Sequence, residues 1–461
     1  MIHLAALRLN AITNPLLPNY REKELAYFLN FANTKVVFIA YEYRQYKYEQ
    51  CYENIISSLP SLKAIYVIGR SNETGTFQNF SDLLQIEPSR QVPSTVFGPD
   101  DISTVIFTSG TESKSKAVMH SQNTMMYGTQ TMANLLNLTE DDVVWAPSPL
   151  GHGTGFLWGM RQALHIGAKL VLQETWDPEE ALRLIEEERV TFTMGATPFA
   201  AMLVEAPSAG IRDTRSFRIF ASAGAPIPQE LGLKAREKLG CQLIGMWGMT
   251  ECFVGTASSP SDTEEKLWGT DGRAMPGAEI AIFSEDRKTL KPAGEIGELA
   301  TRGPHVALGY YKDAEKTDQT FSAEGWLFTN DLASIDPDGY VRISGRIKDI
   351  VNRGGLKIST REIEDMLFRH PNVLQVAIIA LPDPRLVERS CAFIISRSKP
   401  APTLDDLNRF LEVQGVAKYK LPEFMAIVDS FPMTPSGKVQ KFQLRDWAMS
   451  GTVDIFSNLK S

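Results

Sequence analysis

Residues 108–116 read Thr-Ser-Gly-Thr-Glu-Ser-Lys-Ser-Lys and combine hydroxyl groups, a glycine and two lysines. They follow residues 104–107, whose apolar character indicates a strand. Hydroxyls, backbone N–H groups and ammonium groups are the donors that bind a polyphosphate. The segment is not a Walker A loop, which requires G-x-x-x-x-G-K-[ST]. Phosphate binding and a solvent-exposed Ser/Thr loop are therefore both open interpretations.

Two further segments each place one reactive side chain beside small residues or at a strand end. His152 lies in residues 149–156, where little side-chain bulk would obstruct a substrate. Glu251 ends residues 246–251, which follow a predicted strand, and a carboxylate at that end of a strand can bind Mg²⁺ on a phosphate. A structural histidine and a surface acid are the alternative interpretations.

Two basic, glycine-containing segments lie in the C-terminal part of the chain. Residues 345–355 alternate charged and apolar side chains and end in a Gly-Gly turn. Residues 434–438 end at Lys438, and a lysine on a glycine-containing loop is a mobile point charge suited to phosphate. The chain contains no H-E-x-x-H, G-x-S-x-G or C-x-x-C motif, so other hydrolytic and redox chemistries have no support.

Composition and charge exclude several classes of protein. The 461 residues include 47 Lys and Arg against 55 Asp and Glu, a net charge of −8, which gives no support to nucleic-acid binding. No run reaches the ~20 apolar residues that span a bilayer. The four cysteines are far apart, so we expect neither a disulfide framework nor a zinc site. We predict reduced thiols and a cytoplasmic protein.

The N-terminal part of the chain alternates strand and helix patterns. The predicted strands are residues 143–146, 168–172, 190–194, 218–223 and 242–247. Asp177 is a predicted N-cap, with Pro178 at the first helical position. This alternation predicts an α/β fold with parallel sheets. Apolar residues of this region suggest either a compact pocket or core; they are Phe156, Trp158, Phe199, Met246 and Met249.

The pattern changes near residue 270. Short strands are predicted at residues 278–283, 298–301, 333–335 and 340–343, with a turn at 336–339. They indicate a β-rich subdomain, which we expect to form a small β-barrel. After Gly345 the pattern becomes α+β, and Ser359 is predicted to cap a helix. We therefore place a domain boundary near residues 345–350.

Taken in order, these segments resemble signatures of the adenylate-forming superfamily of acyl-CoA synthetases, luciferases and adenylation domains. The matching segments are residues 108–111, 247–251, 345–349, 353–358, 362–364 and 436–438. Residues 149–156, 195–199 and 418–420 are most similar to short- and medium-chain acyl-CoA or cyclohexanecarboxylate-CoA ligases. The resemblance implies an AMP-binding domain over residues 1–345, with the β-rich subdomain at about 270–345. It also implies a small, mobile C-terminal domain over residues 346–461, with a hinge near 346–349.

The resemblance implies a two-step ligase reaction. Such enzymes form an acyl-adenylate from a carboxylic acid and Mg-ATP, release pyrophosphate, and after rotation of the C-terminal domain form a thioester with coenzyme A. The expected small molecules are therefore the acid, ATP, Mg²⁺ and coenzyme A. Nucleic acid is not an expected partner, and peripheral membrane contact and the oligomeric state stay open.

The resemblance also implies residue roles. Lys438 would bridge the carboxylate and the α-phosphate, Lys116 would bind phosphate, and His152 would border the acyl pocket. Glu251 would hold Mg²⁺, and Lys348 would be the hinge. The residues that would contact the nucleotide are Thr108, Ser109, Gly110, Thr111, Gly224, Ala225, Pro226, Trp247, Gly248, Thr250, Asp331 and Arg346. Gly354 and Gly355 would face the coenzyme A arm.

The chain departs from the pattern of this superfamily at identifiable positions. Ser113, Ser115 and Ala117 stand where Gly, Pro and Gly are usual, and Trp247 replaces a tyrosine. Asn330 and Val387 both stand where glycine is common. Residues 14–18 match a segment that further strands and helices normally precede, and residues 1–9 resemble an uncapped helix remnant. We accordingly expect marginal stability of these 461 residues.

Three interpretations of function stay open at this point. The first is an active acyl-CoA synthetase for a short- or medium-chain fatty or alicyclic acid. The second is a catalytically impaired or truncated nucleotide-binding relative, as the altered 108–116 loop and the late start would favour. The third is an adenylating enzyme for another acid, such as an aryl acid or an amino acid.

Overall fold

The computed structural model describes residues 1–70, 75–87, 98–108, 115–225, 227–433 and 439–457. The first part of the chain forms a small parallel sheet, in the order β1-β4-β5, covered by helices. The strands of this sheet are β1 (Val36–Ala40), β4 (Ala64–Ile68) and β5 (Gln78–Asn79), and β2 (Glu42–Tyr43) and β3 (Tyr46–Lys47) pair antiparallel with each other. The helices of this part of the chain are α1 (Ile2–Arg8), α2 (Glu22–Phe31), α3 (Tyr48–Ile55) and α4 (Phe80–Leu83), with a 3₁₀ turn at Ile56–Ser58.

Helix α1 begins at Ile2 without a side-chain cap. Met1 occupies the N-cap position, no side chain accepts from the free N–H groups, and no residue of the helix is buried. The prediction of an uncapped helix at residues 1–9 is confirmed. His3 fastens α1 to the body of the protein, because its ring nitrogens contact Thr13 at 3.0 Å and Arg161 at 3.2 Å.

A seven-stranded sheet, in the order β14-β13-β12-β11-β10-β8-β9, forms the centre of the molecule. Its strands are β8 (Val143–Ala146), β9 (Lys169–Leu172), β10 (Phe192–Ala196), β11 (Ile219–Ala223), β12 (Gln242–Trp247), β13 (Thr256–Ala257) and β14 (Arg273–Ala274). Strands β8 to β12 pair in parallel, and β13 and β14 pair antiparallel. Beside this sheet stands a hairpin of β6 (Ile102–Phe107) and β7 (Ala117–Ser121). The prediction of parallel α/β sheets is confirmed.

Helices cover both faces of the central sheet. They are α5 (Gln122–Leu136), α6 (Gln162–Ile166), α7 (Pro178–Glu188), α8 (Thr197–Glu205), α9 (Gln229–Leu239) and α10 (Glu264–Gly269), with a π-helix at Thr154–Arg161. Neighbouring strand residues point to opposite faces, so Ile219 and Ala221 join one buried cluster and Phe220 joins another. As predicted, Asp177 caps α7, since its carboxylate accepts from the N–H of Glu180 at 2.7 Å.

The β-rich subdomain is a four-stranded antiparallel sheet in the order β15-β16-β17-β18. Its strands are β15 (Glu279–Phe283), β16 (Gly297–Arg302), β17 (Leu327–Ile335) and β18 (Val341–Arg346), and α11 (Ala314–Thr320) precedes β17. The predicted turn at residues 336–339 joins β17 to β18, where the N–H of Gly339 donates to the carbonyl of Asp336 at 2.9 Å. Strand β17 begins at Leu327, six residues before the predicted start at residue 333, because Leu327 and Phe328 are buried against β16.

The C-terminal part of the chain is a second α+β unit. Its strands are β19 (Ile350–Arg353), β20 (Leu356–Ser359), β21 (Val373–Asp383), β22 (Val387–Ser396), β23 (Phe424–Ile427) and β24 (Phe456–Ser457). Its helices are α12 (Thr360–Leu367), α13 (Leu404–Val413) and α14 (Lys441–Ser450), with 3₁₀ turns at Ile347–Asp349 and Lys418–Lys420. Ser359 caps α12 as predicted, accepting from the N–H of Glu362 at 3.2 Å. The exact domain boundary near residues 345–350 stays a prediction.

Candidate active site

A lysine, a tyrosine and a glutamate meet beside strand β7. The ammonium of Lys116 donates to the hydroxyl of Tyr310 at 3.3 Å, and that hydroxyl donates to Oε1 of Glu251 at 2.8 Å. The distance from Lys116 Nζ to the same carboxylate oxygen is 3.8 Å. Glu251 is only 3% exposed. Burial, and next the charge of Glu251, raise the pKa of the Tyr310 phenol, so this phenol stays protonated and remains a donor.

Strand β7 brings these three residues together. The N–H of Met119 donates to the carbonyl of Gly309 at 3.0 Å, which aligns the segment that carries Tyr310 with the strand. The backbone of Glu251 is held from the same segment, because its carbonyl accepts from the N–H of Ala307 at 2.8 Å. Lys116 directly precedes β7. The group therefore depends on three stretches of chain that are remote in sequence.

Thr108 and Lys116 close the base of the loop that joins β6 to β7. The N–H of Thr108 donates to the carbonyl of Lys116 at 2.9 Å, and the N–H of Lys116 donates to the Thr108 hydroxyl at 3.1 Å. The predicted phosphate-binding residues Ser109, Gly110 and Thr111 lie between them, outside the described residues.

A second group joins Trp247, Asp331 and Arg346. The indole Nε1–H of Trp247 donates to Oδ2 of Asp331 at 2.8 Å, and Nε–H of Arg346 donates to Oδ1 at 3.1 Å. Asp331 and Arg346 are directly paired across β17 and β18, and both Trp247 and Asp331 are buried. The two groups adjoin each other in the chain, because Trp247 is the last residue of β12 and Glu251 follows it by four residues.

Small residues shape the backbone around these groups. A Cβ atom on Gly248 would collide with the carbonyl oxygen of Phe253. The backbone at residue 248 therefore lies so close to the backbone at residue 253 that only glycine fits there. Gly224 directly follows β11 and has φ +89°, and the carbonyl of Ala225 accepts from the Thr197 hydroxyl at 2.9 Å. Pro226 lies outside the described residues.

His152 stands at the beginning of the π-helix Thr154–Arg161. Its Nδ1 accepts from the N–H of Thr154 at 3.2 Å, which leaves the proton of a neutral ring on Nε2. The π-helix was not predicted. It forms where glycines allow close packing, since a Cβ on Gly155 would strike the carbonyls of residues 148 and 149 and one on Gly159 would strike Ala146.

The predicted residues of the second reaction step lie in and near the C-terminal unit. Lys348 is in the 3₁₀ turn between β18 and β19. Gly354 and Gly355 form a turn with φ +59° and +94°, and the N–H of Gly355 donates to the side chain of Asn352 at 2.9 Å. Lys438, which the resemblance assigns to the first step, lies outside the described residues.

The AMP-binding enzyme family matches residues 1–311, and the AMP-binding enzyme C-terminal domain matches residues 362–438. The chain belongs to the AMP-binding enzyme family. It is 36% identical over 446 residues to a medium-chain fatty-acid–CoA ligase of Escherichia coli K12, covering 96% of this chain and 78% of that protein. It is 33% identical over 446 residues to a 2,3-dihydroxybenzoate-AMP ligase of Bacillus subtilis 168, covering 96% of this chain and 80% of that protein.

A solved structure shares the fold of this family member. The ATP-bound MatB from Rhodopseudomonas palustris superimposes with a TM-score of 0.86 at 27% identity, covering 96% of this chain and 85% of that one. The resemblance inferred from the sequence and the α/β fold class are thereby confirmed. The chain is an adenylate-forming enzyme that activates an acid. Among the described residues, no helix is long and apolar enough to cross a membrane.

The acidic residues of this AMP-binding enzyme fit a nucleotide-borne Mg²⁺ ion. Within the described part of the chain, no three His, Cys, Asp or Glu side chains cluster as a metal cage. Mg²⁺ in nucleotide sites commonly uses one or two carboxylates together with substrate phosphates. Glu251 is a buried carboxylate, and one such carboxylate fits an ion whose other ligands are phosphate oxygens and water.

The five apolar residues considered for a pocket do not form one group. Phe156, Trp158 and Met246 belong to one buried cluster of the central sheet. Phe199 lies in the cluster on the opposite face and stacks on Trp176, with ring centroids 4.3 Å apart. Met249 is only partly buried and packs against a third cluster. The interpretation as core residues is therefore the better one for the other four, and the position of the acyl group stays a prediction.

Two residues of this region were not predicted from the sequence. Tyr310 bridges Lys116 and Glu251, although 194 positions separate it from Lys116. His120 donates through Nε2–H to the carbonyl of Thr250 at 2.8 Å, next to Glu251. Neither stands in a motif, and only long-range contacts reveal them.

Proposed function

We propose that this enzyme joins a carboxylic acid to AMP, with release of pyrophosphate, and then transfers the acyl group to coenzyme A. The observation that carries the proposal is the contact group Lys116–Tyr310–Glu251, which adjoins the group Trp247–Asp331–Arg346 through one short segment. The first group offers charge for phosphates, and the second offers a buried carboxylate with an adjacent guanidinium. Both suit the two ends of a nucleoside triphosphate.

In the first step, a carboxylate oxygen attacks the α-phosphorus of ATP and the bond to pyrophosphate breaks. Catalysis of such a step is positioning and neutralisation of negative charge. Lys116, beside the loop that begins at Thr108, binds phosphate oxygens. Glu251 holds the Mg²⁺ ion, which supplies charge neutralisation to the phosphates when bound. Lys438 approaches the carboxylate and the α-phosphate.

Asp331 binds the ribose hydroxyls in this scheme. A carboxylate accepts from two hydroxyls best when it is held rigidly, and Trp247 and Arg346 supply that support with bonds of 2.8 and 3.1 Å. Gly224, Ala225 and Pro226, with Gly248 and Thr250, provide the backbone around the adenine. The ring of Trp247 would flank the adenine.

In the second step, the sulfur of coenzyme A attacks the acyl carbonyl, and AMP leaves with the oxygen that the acid contributed. The C-terminal domain turns about Lys348, which brings Gly354 and Gly355 toward the coenzyme A arm. His152 borders the acyl group. The closest support for the thioester step is the 36% identity to a medium-chain fatty-acid–CoA ligase.

The proposed acid is a short- or medium-chain fatty acid or an alicyclic acid. A second candidate is an aryl acid whose adenylate is not passed to coenzyme A, favoured by the 33% identity to a 2,3-dihydroxybenzoate-AMP ligase. A panel of fatty, alicyclic, aryl and amino acids with ATP and Mg²⁺ separates the two. The measurement is acid-dependent pyrophosphate release, followed by thioester formation on addition of coenzyme A.

The outcomes of the acid panel distinguish the two candidate functions. Release with hexanoate or cyclohexanecarboxylate, and thioester with coenzyme A, is the expected result. Release with aryl acids alone and no thioester would support the second candidate. An absence of release with every acid would contradict both and leave a catalytically impaired relative.

A further inference from the structure

His120 occupies a position from which it touches both ends of the turn that carries Glu251. It lies on β7, four residues after Lys116, and is completely buried. Its Nε2 is 2.8 Å from the carbonyl oxygen of Thr250, and its ring stacks on Phe253 with centroids 4.2 Å apart. Glu251 lies between these two contacts in the chain.

The tautomer of His120 follows from its partners. A carbonyl oxygen can only accept, so Nε2 carries the proton that is donated to Thr250. The other nitrogen, Nδ1, is 3.1 Å from the Thr124 hydroxyl. Burial lowers the pKa of His120 to about 4, so the neutral ring persists throughout the physiological range. His120 therefore acts as a hydrogen-bond donor whose protonation state does not change in this range.

The turn that His120 contacts is strained. The N–H groups of Cys252 and Phe253 both donate to the carbonyl of Met249, at 3.1 and 2.6 Å. Phe253 has φ +53°, a conformation that a bulky aromatic residue rarely adopts. Such a conformation persists only where the surrounding structure holds it. The His120 ring and its hydrogen bond supply such support.

We infer that His120 is a positioning residue, which holds the Thr250–Phe253 turn on strand β7 so that the Glu251 carboxylate stays within reach of Lys116 and of a nucleotide-bound divalent cation. This inference rests on the proposed role of Glu251. Strand β7 aligns Tyr310 through the backbone, as the bond from Met119 to Gly309 shows. His120 provides the corresponding link to the turn of Glu251.

The test compares three substitutions by their effect on metal dependence. Glutamine places its amide N–H near the position of Nε2, asparagine places it near Nδ1, and phenylalanine keeps the ring without a donor. Affinity for a non-hydrolysable ATP analogue is measured by calorimetry over a series of Mg²⁺ concentrations. His370→Phe is the matched control, because this buried histidine contacts Phe410 in the C-terminal unit, remote in the chain from Glu251.

We expect His120→Asn and His120→Gln to differ in their Mg²⁺ dependence. His120→Asn and His120→Phe raise the Mg²⁺ concentration for half-maximal analogue affinity about tenfold, the loss of one good hydrogen bond. His120→Gln and His370→Phe stay near the wild type. Equal Mg²⁺ dependence of His120→Asn and His120→Gln would overturn the inference, and that pair decides it even where the phenylalanine variant fails to fold.

The result also distinguishes this inference from the proposed function. A wild type whose analogue affinity does not depend on Mg²⁺ would reject the role of Glu251 and with it the basis of the inference. A wild type with normal Mg²⁺ dependence, together with asparagine and phenylalanine variants that keep it, would reject the role of His120 alone.

Discussion

Trp247 and Asp331 are joined by a hydrogen bond of 2.8 Å from the indole Nε1–H to Oδ2 of the carboxylate. The bond links the end of β12 in the central sheet to β17 in the antiparallel sheet. Arg346 binds the other carboxylate oxygen at 3.1 Å. The proposed ribose-binding acid is therefore held by one residue from each of two sheets.

Removal of the indole N–H tests this link. We predict that Trp247→Phe raises the KM for ATP about tenfold and lowers the free energy of unfolding by about 1–3 kcal/mol, because a buried carboxylate oxygen loses its donor. Trp268→Phe is the control, since that indole donates to a backbone carbonyl at 3.3 Å. If both variants lose stability and neither changes the KM, the pair has only a structural role.

The Tyr310 hydroxyl is a second test of the site. Tyr310→Phe removes the hydroxyl that accepts from Lys116 and donates to Glu251. Both charged groups then lose a hydrogen-bond partner. We predict a fall of about tenfold in acid-dependent pyrophosphate exchange, equivalent to about 1.4 kcal/mol. The neighbouring Tyr311→Phe serves as the control. Equal rates in the two variants would show that the bridge does not contribute to the first step.

Val387 is a strained residue outside the site. It has φ +67°, is 58% exposed, and stands where the resemblance expects glycine. The left-handed region costs a residue with a Cβ about 1–2 kcal/mol. Glycine itself loses about 0.5–1 kcal/mol of conformational entropy on folding. We therefore predict that Val387→Gly stabilises the protein by up to about 1 kcal/mol, measured by denaturant unfolding.

Asn330 provides the comparison for Val387. It also replaces an expected glycine and has φ +59°, but asparagine tolerates this region well. Asn330→Gly should therefore change the free energy of unfolding less than Val387→Gly does. The opposite order would show that the conformation of Val387 is not strained.

The burial of His305 leads us to predict that the free energy of unfolding depends on pH. It is buried, and burial lowers its pKa from 6.5 to about 4. The unfolded chain therefore binds the proton more readily, so stability is complete above pH 6.5 and falls as the pH decreases toward about 4. In His305→Gln, the free energy of unfolding should change less between neutral and mildly acidic pH than in the wild type. Parallel curves for the two proteins would contradict this assignment.

Local features of the fold were predictable, and long-range ones were not. Asp177 and Ser359 cap helices as expected, because a cap depends on neighbours within one helical turn. The end of β12 was also correctly placed, which located Trp247 and Glu251. The π-helix escaped prediction because its glycines pack against residues of β8 and of the loop that follows.

The candidate site shows the same difference between local features, which could be predicted, and long-range contacts, which could not. Motifs in the chain singled out Lys116 and Glu251, and the family resemblance implied roles for Asp331 and Arg346. Tyr310 was missed, because a tyrosine carries no signal until β7 aligns its segment with Lys116. The altered Ser113 and the predicted Lys438 lie outside the described residues, and their roles stay predictions.

In the proposed first step, an oxygen of the acid attacks the α-phosphorus of ATP. The most direct measurement uses an acid labelled with ¹⁸O in its carboxylate, together with ATP, Mg²⁺ and coenzyme A, and mass spectrometry of the nucleotide product. We predict AMP that carries a single ¹⁸O atom, because the bridging oxygen leaves with AMP. Unlabelled AMP, or ADP with the label in inorganic phosphate, would contradict it.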